Sequence, residues 1–198
     1  MKWEEAIRIY RIPKLYQDAS LENATLIPSA IVKIGKEWVY LKQRPSLFLY
    51  GTTGCGKTYF LISLLRGILE SYKNPFPVIY EKSTCMDRTL LDATRGDILD
   101  SCGYARTEES LLDLYSETQI LFLDDLGSES QSERVRRQYG VIVDNRMSND
   151  LPTVYTSNLT PEEVTRVYGD RTASRLELAT RIQFPCSDHR KHLNRDRT

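Results

Sequence analysis

The sequence predicts an α/β fold in which a central, mostly parallel β-sheet is flanked by helices. Two observations carry this prediction: short apolar runs alternate with longer segments of helical periodicity, and the first run leads through a glycine-rich turn into a helix. Neither an internal repeat nor a flexible linker divides the 198 residues. We expect one domain over residues 1–198, with a lead-in and helix at 1–45, a core at 46–185 and a basic tail at 186–198.

The first half of the core alternates between strand and helix. Residues 46–50 are a short apolar run that ends at Gly51. Residues 58–72 carry leucine and isoleucine at helical spacing on one side, and residues 78–80 begin a second strand. This order predicts a strand, a glycine-rich turn, a helix and another strand.

The second half continues the alternation. Thr107 is placed to cap a helix over residues 107–117. Residues 119–124 are nearly all apolar, as expected of a central parallel strand covered on both faces. Residues 130–147 are predicted to be helical, and residues 153–157 to form another strand.

A last helix follows that strand. Thr160 and Glu163 have the spacing of a capping box, with Pro161 at the first helical position, and Gly169 is predicted to end the helix. In an open parallel sheet of this kind, ligands bind at the carboxyl ends of the strands. The alternation therefore predicts a nucleotide at that edge.

A phosphate-binding motif follows the first strand. Its sequence matches G-x-x-x-x-G-K-[ST], the Walker A motif of P-loop NTPases, between a hydrophobic strand and an amphipathic helix. Glycines let backbone N–H groups point at a phosphate, and the helix N-terminus adds partial positive charge. Lys57 is expected to reach the β- and γ-phosphates of ATP, and Thr58 to ligate Mg²⁺. The predicted nucleotide-binding residues are Gly51, Thr52, Thr53, Gly54, Cys55, Gly56, Lys57 and Thr58.

Cys55 has two interpretations. A thiolate is favoured near a helix N-terminus, which allows a redox switch. The alternative is that Cys55 is an ordinary small loop residue.

Two carboxylates end the apolar run before Leu126, in the pattern of a Walker B motif. Asp124 is predicted to hold Mg²⁺ through its water shell, and Asp125 to orient or deprotonate the attacking water. Asp125 stands where many related ATPases carry glutamate, and its side chain is one methylene shorter. The alternative is that the two carboxylates simply end a strand.

Polar residues also end the next strand. The triplet from Thr156 to Asn158 is expected at the same edge of the sheet, where Asn158 can hold the γ-phosphate or the water. The alternative is a helix cap, a position that Asn and Ser favour.

Two arginines lie one helical turn apart in the segment GDRTASRL. Arg171 and Arg175 can project from one face, and a guanidinium supplied to another subunit's ATP stabilises the charge on the transferring phosphoryl group. The alternative is an intramolecular salt bridge with Asp170 or Glu177.

The Walker A motif, the strand end DDLG, the triplet TSN and the segment YGDRTASRL occur in an order that resembles the AAA+ ATPases of the DnaC/DnaI helicase loaders and IstB transposition helpers. The resemblance covers residues 10–190. It implies an ATPase that assembles side by side on single-stranded DNA, with Arg175 as the arginine finger and Arg171 as a second contact. It further implies that Ile12 and Tyr16 line the adenine pocket.

The same resemblance implies an AAA+ fold without a C-terminal helical lid, because only 17 residues follow Arg181. Only 50 residues precede Gly51, so the resemblance extends to the ATPase domain and not to a separate helicase-binding domain. The implied partners are ATP or ADP, single-stranded DNA, a replicative helicase or a transposase, and further copies of the chain.

The positions of the DNA contacts are only weakly indicated. Single-strand binding needs cations along a groove, and the candidates are Lys82, Arg88, Arg95 and Arg106. Interspersed aspartates make an ordinary solvated helix face an equal alternative.

Composition excludes several classes of protein. With 27 Lys and Arg against 27 Asp and Glu, and 40% hydrophobic residues, the chain has a globular balance rather than a disordered or polybasic one. The apolar runs are far shorter than the roughly 20 residues of a membrane span, and the N-terminus lacks a signal-peptide core. The four cysteines form no CxxC pair. We therefore expect a reduced, cytoplasmic protein.

Three functions are consistent with the sequence. The first is an ATP-dependent DNA replication factor of the helicase-loader type, which hydrolyses ATP between subunits. The second is an IstB-like transposition helper, whose ATPase core would look almost identical. The third is a non-catalytic adaptor in which ATP sets the oligomeric state.

Overall fold

A computed structural model describes residues 2–72, 77–95 and 105–185. Helices and strands alternate through these ranges, and a short 3₁₀ turn spans Lys14–Tyr16. The strands are β1 (Leu47–Tyr50), β2 (Val78–Lys82), β3 (Ile120–Leu126), β4 (Thr153–Ser157) and β5 (Thr180–Gln183). The helices are α1 (Trp3–Ile9), α2 (Ser29–Tyr40), α3 (Lys57–Ser71), α4 (Ser83–Thr94), α5 (Glu108–Glu117), α6 (Glu133–Ser148) and α7 (Pro161–Leu176).

The strands form one sheet in the order β2-β3-β4-β1-β5, and every pairing is parallel. The carboxyl ends of β1, β4 and β3 therefore lie side by side at one edge. Because the loops after these strands leave from that edge, the Walker A loop meets the segments that follow β3 and β4. The predicted α/β P-loop fold is confirmed.

Helices cover both faces of the sheet. Ile120 and Phe122 of β3 pack into a core with α1, α2 and α3, whereas Leu121 and Leu123 pack into a second core with α4 to α7. Successive side chains of a strand point to opposite faces. A central strand between two helical layers must therefore be apolar at every position, which accounts for the continuous run predicted to be buried.

The caps behave as their sequences predict. The Thr107 hydroxyl accepts a hydrogen bond from the Ser110 N–H at the start of α5. At α7, Thr160 and Glu163 form the reciprocal capping box. Gly169 interrupts α7 with φ 81° and ψ 163°, but helical residues resume and continue to Leu176, so the prediction that the helix ends at Gly169 is only partly right.

The remaining predictions concern minor elements, the two ends of the chain and membrane spans. The short helices α1 and α4 and the edge strand β5 were not individually predicted. Up to residue 185, where the described part of the chain stops, no helical lid follows β5, and the predicted basic tail at 186–198 lies outside the described residues. Among the described helices, none combines the length and apolarity needed to cross a bilayer.

A buried arginine joins the far ends of two elements. Arg146 of α6 is 1% exposed, and burial lowers its pKa to about 10, so it remains charged at neutral pH. Its guanidinium donates to the carbonyls of Tyr115 and Thr118 at 2.9 and 2.7 Å and to the Thr153 hydroxyl at 2.7 Å. A further N–H donates to the Pro152 carbonyl at 2.8 Å. Arg146 therefore ties the end of α5 to the start of β4.

Candidate functional site

The Walker A loop connects β1 to α3 and is shaped by its glycines. Gly56, directly before α3, has φ 99°, and Gly54 has φ 85°. These are left-handed conformations that side chains with a Cβ rarely adopt. The loop therefore turns tightly enough to bring the N-terminus of α3 against the cleft at the sheet edge.

The Lys57 ammonium lies at the centre of the site. It donates to the carbonyls of Gly51 and Thr52 at 2.8 and 2.9 Å and to the Asn158 side-chain oxygen at 2.9 Å. Lys57 is 7% exposed, so its charge is held in a largely desolvated position. Such a cation attracts an anionic group more strongly than an exposed lysine does.

Asn158 joins Lys57 to the second Walker B carboxylate. Its amide nitrogen donates to Asp125 Oδ1 at 3.0 Å, while its oxygen accepts from Lys57. One neutral side chain thus separates a cation from an anion and contacts both. An amide in this position can orient a phosphate or a water molecule between the two charges.

Asp124 lies deeper than Asp125 and contacts the start of α3. Its Oδ1 accepts from the Thr58 hydroxyl at 2.9 Å and from the Thr156 hydroxyl at 2.7 Å. Burial raises the pKa of the Asp124 carboxyl above its usual range, while these two hydrogen bonds act in the opposite direction.

The donor set of Thr58 and Asp124 fits Mg²⁺, which takes oxygen ligands and usually keeps several waters alongside substrate phosphates. Within the described ranges, no group of three or more His, Cys, Asp and Glu side chains is placed to hold a metal ion. Thr58 and Asp124 offer two oxygen ligands, which suits a Mg²⁺ that takes its remaining ligands from water and phosphate.

An irregularity in the pairing of β3 with β4 includes both Walker B carboxylates. The register between β3 and β4 shifts between Leu123 and Leu126, and Asp125 has φ 64°. The Asp125 N–H donates to the Thr156 hydroxyl at 2.8 Å. This irregularity turns Asp125 toward Asn158 while Asp124 continues toward Thr58.

The side chains described above open onto a cleft of about 630 Å³. This volume is within the range of small-molecule and cofactor sites. The cleft has a polar side at the Walker motifs and an apolar side from the N-terminal segment. The apolar side includes Leu15, Tyr16, Ala24, Leu26 and Ile27.

The predicted nucleotide-binding residues divide into three groups. Thr53, Gly54, Gly56, Lys57, Thr58 and Tyr16 line the cleft. Gly51 and Thr52 contribute carbonyls to Lys57. Ile12 and Cys55, at 3% and 1% exposed, lie in the core and are not among the lining residues.

Sequence reasoning missed the residues around 23–27, which line the cleft with Tyr16. Their position before Pro28 at the start of α2 was the available signal, because the residue before a proline favours an extended or turn conformation. Their approach to the Walker A loop is a tertiary contact that no local pattern records.

The two arginines lie away from the cleft. Arg175 lines a second cleft, of about 750 Å³, together with the residues that come just before four strands: Ser46, Gln119, Pro152 and Ala179. It therefore lies at the amino-terminal edge of the sheet, opposite the Walker A loop. Arg175 does not line the 630 Å³ cleft beside the Walker A loop, called here the nucleotide cleft.

Both arginines pair with Asp144 of α6. Arg171 contacts Asp144 at 2.7 Å, and Arg175 contacts the other carboxylate oxygen. The alternative of an intramolecular salt bridge is therefore right, but its predicted partners, Asp170 and Glu177, are wrong. Glu177 pairs with Arg181 at 3.3 Å.

The four cations proposed for DNA have different surroundings in the described residues. Arg88 of α4 pairs with Asp92 at 3.6 Å, and Lys82 lines the nucleotide cleft. Arg95 follows α4 directly and is exposed, and Arg106 precedes α5. These positions leave the solvated-face alternative open.

Comparisons with known proteins agree with this geometry. Residues 23–183 match the family described as the bacterial DnaA ATPase domain. The chain is 32% identical over 120 residues to the replicative helicase loader DnaI of Bacillus subtilis, covering 60% of this chain and 34% of that protein. It is 24% identical over 187 residues to the replicative helicase loader DnaC of Escherichia coli, covering 92% of this chain and 72% of that protein.

A solved structure shares the fold. A replication initiator DnaA bound to AMPPCP and single-stranded DNA superposes with a TM-score of 0.72 at 18% identity, covering 93% of this chain and 56% of that one. The chain thus spans about a third of the length of its Bacillus subtilis relative and about half of this structural neighbour.

Proposed function

The chain belongs to the bacterial DnaA ATPase domain family, and we propose that it is an ATP-dependent DNA replication factor of the helicase-loader type. It binds ATP in the cleft beside the Walker A loop and assembles with further copies on single-stranded DNA. It hydrolyses ATP at the contact between neighbouring subunits. The observation that carries the proposal is the chain of contacts from Lys57 through Asn158 to Asp125, beside the Thr58–Asp124 pair.

Each of these groups has a separate task in binding and hydrolysis. The β- and γ-phosphates lie against the Walker A backbone. Their oxygens replace the carbonyls of Gly51 and Thr52 as hydrogen-bond acceptors of Lys57. Asp125 accepts a proton from, or orients, the attacking water, and Asn158 holds that water beside the γ-phosphate. The apolar side of the cleft, with Tyr16 and Leu26, covers the base and excludes water from it.

Thr58 and Asp124 would hold Mg²⁺, which supplies charge neutralisation at the phosphate oxygens when it is bound. Among the described residues, the donors to Oδ1 of the buried Asp124 carboxylate are two neutral hydroxyls. A divalent cation beside it would offset the cost of burying that charge, so nucleotide and metal binding support each other.

Hydrolysis requires a second subunit in this proposal. Arg175 lies on the opposite edge of the sheet from its own cleft, so it serves the ATP of a neighbour. A guanidinium supplied in this way stabilises the charge of the transition state. Arg171, which shares Asp144 with it, provides a second contact at the same junction.

The relatives support a replicative helicase, ATP and single-stranded DNA as the proposed partners. The two curated relatives are replicative helicase loaders, which favours a replicative helicase over the transposase of an IstB-like helper. The structural neighbour was solved with AMPPCP and single-stranded DNA, which favours these two ligands for the shared fold.

The test is the rate of ATP hydrolysis per subunit against protein concentration, with and without single-stranded DNA at one salt concentration. We expect the rate to rise with concentration and with DNA. Lys57→Ala should abolish ATP binding. Arg175→Ala should keep binding and lower the stimulated rate by about 1,000-fold, whereas Arg181→Ala, the matched exposed arginine, should keep the rate.

Other outcomes select the alternatives. A flat rate that Arg175→Ala leaves unchanged would refute hydrolysis between subunits. Tight ATP binding without phosphate release in the presence of DNA would favour the non-catalytic adaptor. If hydrolysis is assembly-dependent, a pull-down that retains a transposase and no helicase would favour the transposition helper.

A further inference from the structure

Two buried polar side chains outside the nucleotide cleft contact each other. The Tyr168 hydroxyl of α7 donates to Glu129 Oε1, and Glu129 Oε2 accepts from the Gly127 N–H at 2.9 Å. Glu129 and Tyr168 are each only 6% exposed. Neither lines the cleft, so their contact needs an explanation other than ligand binding.

The contact between Glu129 and Tyr168 is connected to Asp125, the proposed catalytic carboxylate. Residues 125–129, called here the Walker B turn, span the end of β3 and the turn that follows it. Within it, the Ser128 hydroxyl donates to the Asp125 carbonyl at 2.6 Å. Glu129 therefore holds the turn whose first residue is Asp125.

A second path reaches the same carbonyl. The Tyr168 ring packs against the Tyr139 ring, with centroids 5.9 Å apart. The Tyr139 hydroxyl donates to the Ser83 carbonyl at 2.9 Å, and the Ser83 hydroxyl donates to the Asp125 carbonyl at 2.7 Å. Tyr168 is thus connected to Asp125 both through the Walker B turn and through the start of α4.

Tyr168 is also connected, through the chain of α7, to Arg171 and Arg175. It directly precedes Gly169, whose φ is 81°, and residues 170–176 after it are called here the arginine segment. Apart from its chain neighbours and its own helix backbone, no atom of the described residues lies within 4 Å of the place where a Cβ on Gly169 would stand. The glycine is therefore required for its backbone conformation, which sets the direction in which Arg171 and Arg175 leave Tyr168.

The hydrogen bond is maintained by its surroundings. Burial, and then the charge of Glu129, raises the pKa of Tyr168 far above its ordinary value, so the hydroxyl stays protonated and donates. Separating the two groups would leave a buried carboxylate without one of its donors. The Walker B turn and the end of α7 are therefore expected to move together rather than separately.

We propose that Glu129 and Tyr168 are positioning residues that couple the Walker B turn to the arginine segment of the same subunit. Through this link, the position of Asp125 at one subunit's ATP determines how that subunit presents Arg175 to its neighbour. The inference rests on the proposed function, because it needs hydrolysis between subunits. It adds the route by which successive sites in an assembly influence each other.

The test compares three variants with a matched control. Tyr168→Phe removes the donor, and Glu129→Ala removes the acceptor. Glu129→Gln keeps an oxygen for Gly127 and offers an amide N–H to the Tyr168 oxygen. The control is Tyr80→Phe, because the buried Tyr80 hydroxyl has no hydrogen-bond partner among the described residues.

Each variant is measured for ATP affinity and for hydrolysis per subunit at low and high protein concentration with single-stranded DNA. We expect Tyr168→Phe and Glu129→Ala to keep ATP affinity within about twofold and to lower the concentration-dependent rate about tenfold or more. Glu129→Gln should recover most of that rate, and Tyr80→Phe should match the wild type. General destabilisation would instead lower affinity, basal rate and stimulated rate together.

Mixed subunits show on which side of the junction Tyr168 acts. Asp125→Asn subunits, which keep Arg175, should activate Arg175→Ala subunits, which keep Asp125. Adding Tyr168→Phe to the Asp125→Asn subunit should lower this activation about tenfold, and adding Tyr80→Phe should not. The coupling would be overturned if Tyr168→Phe lowered this activation only when placed in the Arg175→Ala subunit, and not when placed in the Asp125→Asn subunit.

The failures of the two proposals are distinguishable. If the wild type binds no ATP, or its rate is independent of concentration, the proposed function fails. If the wild type does both and Tyr168→Phe and Glu129→Ala behave like it, only the coupling through Glu129 is refuted.

Discussion

Replacing Asp124 by Asn should make the protein more stable without nucleotide and less stable with it. Asp124 is 2% exposed, and both hydrogen bonds to its Oδ1 come from the neutral hydroxyls of Thr58 and Thr156. An amide has nearly the same shape, accepts the same two hydrogen bonds and carries no charge. The substitution therefore removes the cost of a buried charge and keeps the packing.

The magnitudes can be worked out for both conditions. Relieving a destabilising feature of a functional site commonly raises the free energy of unfolding by about 0.5–2 kcal/mol, and we expect about 1 kcal/mol here. Mg-ATP at 100 times its Kd adds about 2.7 kcal/mol to the wild type. A variant that binds about 100-fold more weakly gains only about 0.4 kcal/mol. The order of stability should therefore reverse when Mg-ATP is added.

The assay is urea unfolding at neutral pH with and without Mg-ATP. The control is Asp113→Asn, the same chemical change at an exposed position of α5, which should alter neither curve. If Asp124→Asn is the less stable protein without nucleotide, the buried carboxylate is not a cost and the reasoning is wrong. If Mg-ATP stabilises both proteins equally, Asp124 does not hold the metal.

Three further substitutions test single contacts. Arg146→Met should lower the free energy of unfolding by about 1–3 kcal/mol for each buried carbonyl that it leaves without a donor. An unchanged urea midpoint would contradict the role of Arg146 as a link between α5 and β4. Thr160→Ala should cost about 1 kcal/mol by removing a helix cap, and Thr160→Ser should restore it in the same unfolding assay. Asn158→Ala should lower single-turnover hydrolysis about 100-fold with a much smaller change in ATP affinity. Equal losses in rate and affinity would show that Asn158 serves binding instead.

The sequence predicts β1 to β4, and two of these strands, β3 and β4, are almost completely buried. β3 and β4 are apolar or small at nearly every position because helices cover both faces, and a run of this kind is visible without any partner. The edge strand β5 is different. Its residues Thr180–Gln183 are mostly exposed, so neither an apolar run nor a clean alternation marks it, and only pairing with β1 makes it a strand.

The site divides in the same way. Residues that act through a fixed local geometry, such as Gly56 and Lys57, are recognisable because the turn and the helix start require particular residue types at set spacing. The apolar side of the cleft is formed by a loop that any modestly hydrophobic sequence can supply. Of the two residues predicted to line the adenine pocket, Tyr16 lines the cleft, whereas Ile12 packs into the core.

Long-range polar contacts outside the Walker A, Walker B and TSN segments could not be predicted. Glu129 and Tyr168 are 39 residues apart, and Asp144 lies on a different helix from the arginines that it pairs with. Glutamate after a turn and tyrosine on a helix are common surface choices, and their composition does not reveal burial. Only the packing of α7 against the Walker B turn turns these residues into partners.

The salt bridge of Arg175 and its proposed action on a neighbour are compatible for an energetic reason. The Asp144 pairs are partly exposed, with Arg171 78% and Arg175 34% accessible, so they are worth about 0–1 kcal/mol. An arginine acting on a phosphoryl transition state is worth about 10³–10⁵ in rate, or roughly 4–7 kcal/mol. In the proposed mechanism, Asp144 therefore orients the guanidinium before assembly, and exchanging this weak pair for a neighbour's phosphate is favourable.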